Sequence, residues 1–485
     1  MTTPVLRNYI GGEWVESSTG QLQDQRNPAD LTEVTCRFQQ SSRDDAGSAI
    51  DAASAALEPW SAMSAPRRAE CLTKALAVLL RRKEEIAEII TRENGKTLKE
   101  SMAEIMSAIK EMDWQIAEGR RLYGETIPSE HEGVFAYSVR QPLGVVSIIS
   151  PWNFPFNVAC RKCVPALMGG NTVVLKPASL TPRAGGCFVE AFAEAGLPAG
   201  ALNLVTGAGS VVGDELVANP KIRAISFTGS TPVGMGIHKK AADTLARTQL
   251  EMGGKNPAVV LADADLDQAA DAVMQAAYAC AGQWCTSTSR AIVEAGVFDS
   301  FLHKVLERVA KIRVGNGMDT SVTMGPVCGE QQLCDILRHI ETGVKEHAKL
   351  VAGGRRMKDG GRDRGYFIEP TVFSEVTPQM TIAREEIFGP VLAIIKVADF
   401  SQAVTVANDV TFGLSSSVFT SSLEKALRFV EQTDVGLTHV NMHTAHKEPQ
   451  LSFGGIKYSG VGLPEAGRTG IEFFTRHKVV YIKYR

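Results

Sequence analysis

Ile222-Arg-Ala-Ile-Ser-Phe-Thr-Gly-Ser-Thr-Pro-Val-Gly234 reads as a buried strand, a glycine turn and the opening of a helix. Ile222 to Phe227 is an apolar run of strand length, and Gly229-Ser230 breaks it. Backbone N–H groups at such a helix start attract phosphate. Working outward, the same alternation recurs. Apolar strands are expected at Leu143 to Ile149, Thr172 to Leu175, Leu202 to Val205 and Ala258 to Leu261. Amphipathic stretches near 157–168, 183–195, 211–218 and 234–246 separate them. Strands of this kind joined by helices predict an α/β fold, with a parallel sheet covered on both faces.

Residues 46 to 118 read mostly as helix. Ser64 is an N-cap candidate with Pro66 just inside the start, and Asn94-Gly95 supplies a stop. Residues 134 to 140 look like a strand outside the alternating pattern. A second set of alternating elements begins near 265 and includes Val391 to Val397 and Ser416 to Thr420. The ending, Lys478 to Arg485, alternates as a strand does. A chain of 485 residues exceeds one ordinary core, so two or three domains with a cleft between them are expected.

Composition narrows the function classes. A formal charge of -3 gives no electrostatic case for a nucleic-acid or anionic-membrane partner. No apolar run is long enough to span a bilayer, and the start lacks a signal-peptide pattern. The nine cysteines are scattered and odd in number, which argues against a disulfide framework and for a reducing cytoplasm.

One cysteine has a distinctive setting. Cys285 lies in Tyr278-Ala-Cys-Ala-Gly-Gln-Trp-Cys-Thr-Ser-Thr-Ser-Arg290, after an Ala-rich helical run. Upstream is Leu250-Glu-Met-Gly-Gly-Lys-Asn-Pro257, which places a carboxylate beside a glycine pair that allows close backbone approach. A nucleophile, a base and a phosphate seat are therefore all available. Three other patterns are set aside. Gly207-Ala-Gly-Ser-Val-Val-Gly213 has the wrong spacing for a dinucleotide fingerprint and reads as a loop into a helix. Cys160-Arg-Lys-Cys163 lacks a second pair at zinc-site spacing, so no metal is expected. Gly95-Lys96-Thr97 lacks the first glycine of a nucleotide loop, because Ile90 stands there.

Seven ordered blocks resemble the aldehyde dehydrogenase superfamily, most closely its succinate semialdehyde and 2-oxoglutarate semialdehyde members. They are Pro151-Trp-Asn-Phe-Pro155, Gly170-Asn-Thr-Val-Val-Leu-Lys-Pro177, Phe227-Thr-Gly-Ser230, Leu250-Glu-Met-Gly-Gly-Lys255, Gly282-Gln-Trp-Cys285, Glu385-Glu-Ile-Phe-Gly-Pro390 and Phe453-Gly-Gly-Ile-Lys457. The resemblance implies a Rossmann-type cofactor domain (1–120 and 143–251) and an α/β catalytic domain (252–443). It also implies a small β oligomerisation element (121–142 and 470–485), with 444–469 forming the substrate-mouth loop and the return to the cofactor domain. A homodimer or homotetramer is implied.

The resemblance makes Cys285 the nucleophile, Asn153 an oxyanion donor and Glu251 the general base that activates water. Hydride would pass to NAD or NADP, and the thioester would be hydrolysed to a free acid. Lys162 and Glu465 match proposed proton-relay positions, and they could equally be surface charges. For the cofactor, the matching positions are Trp152, Lys176, Ser179, Gly229, Ser230, Glu386 and Phe388. Ser179 stands where strict NAD users often carry glutamate, so NADP should be accepted, with NAD also used. Arg161 matches an arginine that binds a substrate's distal carboxylate. A second arginine expected six residues before the nucleophile is absent, since Ala279 stands there. Phe156, Trp284 and Ser452 are further substrate candidates, with Phe154 and Phe453 as possible tunnel walls. His443, His446 and Lys447 could add positive charge at the mouth. An acidic semialdehyde is the expected substrate. Neutral aromatic or medium-chain aldehydes, a cysteine esterase or acyl transferase, and a non-catalytic scaffold are the alternatives.

Overall fold

In the computed structural model, which describes residues 3–485, the helices begin where the sequence offers caps. Helix α1 (Arg43–Ala62) opens with a capping box: Ser42 Oγ accepts the Asp45 N–H, and the Asp45 carboxylate accepts the Ser42 N–H. Helix α2 (Ala65–Asn94) begins after Ser64, whose side chain makes no capping bond, and ends at Gly95 with φ 96°. Helix α3 (Leu98–Gly119) opens with a second box, Thr97 with Glu100. Helices α2 and α3 pack on α4 (Pro155–Met168), and α2 also packs on α5 (Pro182–Glu194).

The first large sheet has eight strands. Its order is Gly460–Val461, Arg247–Glu251, Ile222–Thr228, Val145–Ile149, Thr172–Lys176, Leu202–Leu204, Asn8–Ile10 and Glu13–Val15. The central five run parallel, and antiparallel strands close both edges. From Val145–Ile149 the chain steps outward through the next two strands. It then crosses back to lay Ile222–Thr228 on the other side. Strand order therefore reverses between Val145–Ile149 and Ile222–Thr228, and ligands bind beyond the carboxyl ends of strands at such a reversal. The Pro151–Pro155 loop and the Gly229 turn lie there. Helices α6 (Asp214–Ala218) and α7 (Thr231–Ala241) complete this layer.

The chain leaves the first sheet at Glu251 and enters the second at Asn256. This seven-stranded sheet runs in the order Lys349–Ala352, Thr371–Ser374, Val391–Val397, Thr288–Glu294, Asn256–Val260, Ser415–Phe419 and Leu437–Val440. All but the first strand are parallel. Each sheet has its own apolar core. A separate three-stranded sheet pairs Val134–Pro142 with Thr126–Pro128 and, along its whole length, with Thr475–Lys483.

Two details depart from the sequence reading. The first forty residues, which had no assigned elements, carry strands. Val5–Leu6, Leu22–Asn27 and Asp30–Gln39 form one small sheet, and Asn8–Ile10 with Glu13–Val15 extends the first large sheet. Leu22–Asn27 is mostly polar and exposed, so it shows no apolar alternation. The helix expected near 234–246 starts at Thr231 and gives way to a 3₁₀ turn at Ala242–Thr244, where Leu245 takes φ 53°. Among the described residues no helix is long and apolar enough to cross a membrane.

Candidate active site

Cys285 sits in the link between α8 (Leu266–Tyr278) and the strand Thr288–Glu294. The link is a tight, unusual turn. Cys280, Ala281 and Gly282 all take left-handed φ values, and a side chain at Gly282 would collide with the Gly389 backbone. Asn256 Nδ2 donates to the carbonyls of Cys285 and Ser287 at 2.8 Å each, which pins the nucleophile's backbone. Gly254 is required by this approach, because a Cβ there would lie 2.6 Å from the Cys285 oxygen. The Cys285 side chain is half-buried against Leu414, Phe453 and Ala466. Burial pushes its thiol up to about 12, Arg161 opposes that, and Glu251, Glu386 and Glu465 reinforce it.

Asn153 comes from the loop after the strand Val145–Ile149. Its Nδ2 donates to the Gln283 carbonyl at 3.0 Å, beside the nucleophile's turn, and the amide's second hydrogen makes no hydrogen bond within the protein. A buried ion pair from α3 holds this loop. Lys96 Nζ donates to the Asn153 carbonyl at 2.5 Å and to Glu104 at 2.7 Å, and lies 3.9 Å from the centre of the Phe154 ring. Glu104 in turn accepts the N–H groups of Phe156 and Asn157.

Glu251 ends the strand Arg247–Glu251. One of its carboxylate oxygens is buried without a hydrogen-bond partner. Burial, with Glu465 nearby, pushes its carboxyl well above the usual range. Lys162 and Glu465 are both buried and hydrogen-bonded to each other, with Lys162 also donating to Ser226 Oγ at 2.9 Å. They are therefore not surface charges. Arg161 lies 3.6 Å from Glu465 and over the Phe453 ring at 4.8 Å.

At the other end of the site, Gly229-Ser230 leads into α7, and Ser230 makes no side-chain cap. The N–H groups of the first turn therefore face outward for an anion. Lys176 is buried and has only the Pro177 carbonyl, at 3.2 Å, as a partner; burial brings its ammonium down to about 8. Ser179 Oγ makes a long 3.4 Å contact to the Gly207 carbonyl. Glu386 accepts the Gly254 N–H at 2.8 Å, and burial pushes its carboxyl up to about 7. A side chain at Gly253 would collide with that carboxylate. Phe388 is held at φ 53° and packs edge-on to Trp152 at 5.4 Å. A poorly partnered buried ammonium, a free helix start and a carboxylate aimed across a glycine cradle suit a dinucleotide.

A cleft of ≈ 1200 Å³ holds Cys285, walled by Asn153, Phe154, Asn157, Arg161, Glu251, Trp284, His443, His446, Lys447, Phe453 and Glu465, among others. Two substrate candidates fall outside it. Phe156 is fully buried and stacks against Phe188 of α5, because Pro155 starts α4 and turns residue 156 into the core. Ser452 is exposed and bonded to Thr469 Oγ1 at 2.7 Å. Arg161 does line the cleft, but Glu111 already grips it through Nε and Nη2 at 2.9 Å each. That leaves Nη1 as its less occupied edge. Lys96, Glu104, Glu111 and Asn157 were not singled out from sequence. The only local hint was a pair of glutamates seven residues apart on α3.

A pinned thiol lining a cleft, a glycine-approached carboxylate and a helix-start anion seat together define a dinucleotide-linked thiol enzyme. The aldehyde dehydrogenase family model matches residues 14–480, and the chain belongs to that family. It is 43% identical to the alpha-ketoglutaric semialdehyde dehydrogenase of Bacillus subtilis (strain 168), covering 98% of each chain. It is 36% identical to the succinate-semialdehyde dehydrogenase (NADP(+)) GabD of Escherichia coli (strain K12), covering 98% of this chain and 97% of that one. The structure of Staphylococcus aureus betaine aldehyde dehydrogenase in complex with NAD+ superposes with a TM-score of 0.97. That protein is 34% identical, with 99% of this chain and 95% of that one covered.

Proposed function

We propose that this enzyme oxidises an aldehyde bearing a distal carboxylate, of the succinate or 2-oxoglutarate semialdehyde type, to the free acid. The observation that carries the substrate class is the charge of the cleft's polar wall. Arg161, Lys162 and Lys447 meet Glu111 and Glu465 in one cluster, and burial disfavours the ionised form of the neighbouring Glu251 carboxyl. Three cations against two carboxylates leave one positive charge over, in surroundings that screen it poorly. An anionic group on the substrate balances it. The names of the relatives support the same class.

In this reading the ionised form of Glu251 takes the thiol proton, and Cys285 attacks the aldehyde carbon. The resulting oxyanion is met by the second hydrogen of Asn153 Nδ2 and by the Cys285 N–H. When bound, the nicotinamide dinucleotide supplies the two-electron oxidant. Lys176, Ser179, Gly229 and Ser230 would hold its adenosine and phosphate end, and Trp152, Glu386 and Phe388 its nicotinamide end. The Lys162–Glu465 pair passes the proton held by Glu251 outward, and the freed carboxylate then activates the water that hydrolyses the Cys285 thioester. NADP is accepted, because Ser179 places no negative charge near Lys176. The exposed edge strand Thr475–Lys483, with Val479, Tyr481 and Ile482 outward, supports a dimer or tetramer joined there. Nine free thiols support a reducing cytoplasm.

The test is initial rates with NADP and NAD on chain-matched pairs: succinate semialdehyde against butanal, and glutarate semialdehyde against pentanal. A preference of at least about tenfold in kcat/KM for the acids is expected from one charge-assisted contact. Equal or reversed preference removes the substrate class and leaves only the aldehyde dehydrogenase activity.

A further inference from the structure

Asn157 is buried at 1% exposure, yet its side-chain Nδ2 makes no hydrogen bond of good geometry, although it lies near enough to the Glu111 carboxylate to help hold that group in its charged form. Its orientation is fixed by its other end. Asn157 Oδ1 accepts from Arg161 Nη2 at 2.9 Å and from Lys447 Nζ at 3.0 Å, so two cations hold the oxygen inward and the amide N–H₂ is left over. An unpaired buried donor is costly, and is tolerated when a ligand supplies the missing acceptor. Asn157, Arg161 and Lys447 all wall the cleft that holds Cys285.

Lys447 is the more exposed member of this set. It lies on the mouth loop, its side chain is 22% exposed, and it reaches Glu111 Oε1 at 2.7 Å. Glu111 is also the bidentate partner of Arg161, so two cations share one carboxylate. A second carboxylate entering the cleft can therefore recruit Lys447 without leaving Glu111 unpaired. Arg161 stays bound and keeps the wall rigid.

We propose that Asn157 and Lys447 form the seat that reads the substrate's distal carboxylate. Asn157 Nδ2 donates to one oxygen and Lys447 Nζ turns from Glu111 to the other. This inference rests on the acidic-semialdehyde reading and deepens it, by assigning discrimination to a loop lysine and an asparagine rather than to Arg161 alone. The role is in specificity and not in the chemical step.

The experiment compares wild type with Asn157→Asp, Lys447→Met and Lys447→Arg. Asn157→Asp keeps an acceptor for Arg161 and Lys447 and turns the free donor into a negatively charged acceptor, which repels a substrate carboxylate. The readout is the ratio of kcat/KM for succinate semialdehyde to that for butanal, with the KM and kcat contributions separated. A second readout is binding of succinate and butyrate, followed by Trp284 fluorescence. Asn157→Asp and Lys447→Met should each lower the ratio about 10- to 100-fold, mainly through KM, and weaken succinate binding in parallel, as loss of a charge-assisted contact does. Lys447→Arg should restore most of it. If wild type prefers the acids but neither variant moves the ratio or succinate binding, this inference fails and the substrate class stands. If wild type prefers butanal, both fail.

Discussion

Lys96→Met is the sharpest test of how the oxyanion loop is held. Lys96 and Glu104 side chains are 1% and 0% exposed and lie 2.7 Å apart. Lys96 directs its ammonium at three acceptors: Glu104, the Asn153 carbonyl and the Phe154 ring. Methionine matches its length and fills the space, so little cavity forms. What remains is Glu104 buried with only two backbone N–H groups for its charge. Breaking a buried pair from one side costs about 3–5 kcal/mol, a large part of the 5–15 kcal/mol that holds a typical domain. The Asn153 carbonyl also loses its anchor, and displacement of one oxyanion donor lowers kcat about 10²- to 10³-fold. The assay is urea unfolding followed by tryptophan fluorescence, since Trp152 and Trp284 lie close to the loop, together with steady-state rates. Adding Glu104→Gln should recover most of the stability, because the neutral amide oxygen still accepts the Phe156 and Asn157 N–H groups. It should recover little of kcat, because the Asn153 carbonyl stays unanchored. A single variant within about 1 kcal/mol of wild type, with kcat within twofold, would refute the reasoning.

Other expectations follow from the site. Glu251→Gln should lower steady-state turnover by about 10²- to 10⁴-fold and slow the first reduction of NADP as well, because it removes the base for both the thiol and the water; a first turnover at the wild-type rate would confine Glu251 to thioester release. Alkylation of Cys285 by iodoacetamide in the cofactor-free enzyme, with Cys285→Ser as background, should keep accelerating above pH 9; a plateau below pH 8.5 would contradict a thiol raised to about 12. The same raised value stabilises the fold fully below the unfolded thiol's pKa of roughly 8.5, and that share is lost as pH rises towards 12, since the unfolded state then ionises first. Ser179→Glu should cut kcat/KM for NADP by at least about tenfold relative to NAD, through repulsion of the 2′-phosphate; an unchanged ratio would place the 2′-phosphate elsewhere. Phe156→Ala should cost about 3–5 kcal/mol of stability and leave the acid-to-neutral substrate ratio where it was, as befits a core residue packed on Phe188.

What could be read from the chain, and what could not, divides along physical lines. The alternation from Leu143 to Leu261 was legible because parallel strands buried on both faces must be continuously apolar. The thiol, the glycine pair after Glu251 and the Gly229 turn were legible because unusual backbone geometry requires unusual local sequence. Gly282 and Gly254 tolerate no side chain where they stand. Phe156 was misread because two aromatic residues flank Pro155, and positions two apart across a helix start point to different faces: Phe154 to the cleft, Phe156 to the core. Arg161 was recognisable as a charge but its setting was not. Glu111 is 50 residues away from it, and Lys447 reaches Asn157 across 290.

The same division explains where substrate specificity is stored. Residues that perform the chemistry sit at the ends of strands and in tight turns, where the backbone leaves few choices. Residues that read the substrate's far end sit inside α3 and α4 and on the mouth loop, where a glutamate, asparagine or lysine violates no local rule. Changing Lys447 or Asn157 therefore disturbs neither strand order nor the nucleophile's turn. It alters only the charge and donors at the outer wall. A fold that fixes its thiol by backbone geometry and, as proposed, its substrate by two side chains of α4 and one from a distant loop can change the second without rebuilding the first. In this enzyme the wall formed by Asn157, Arg161 and Lys447 is where that change would be made.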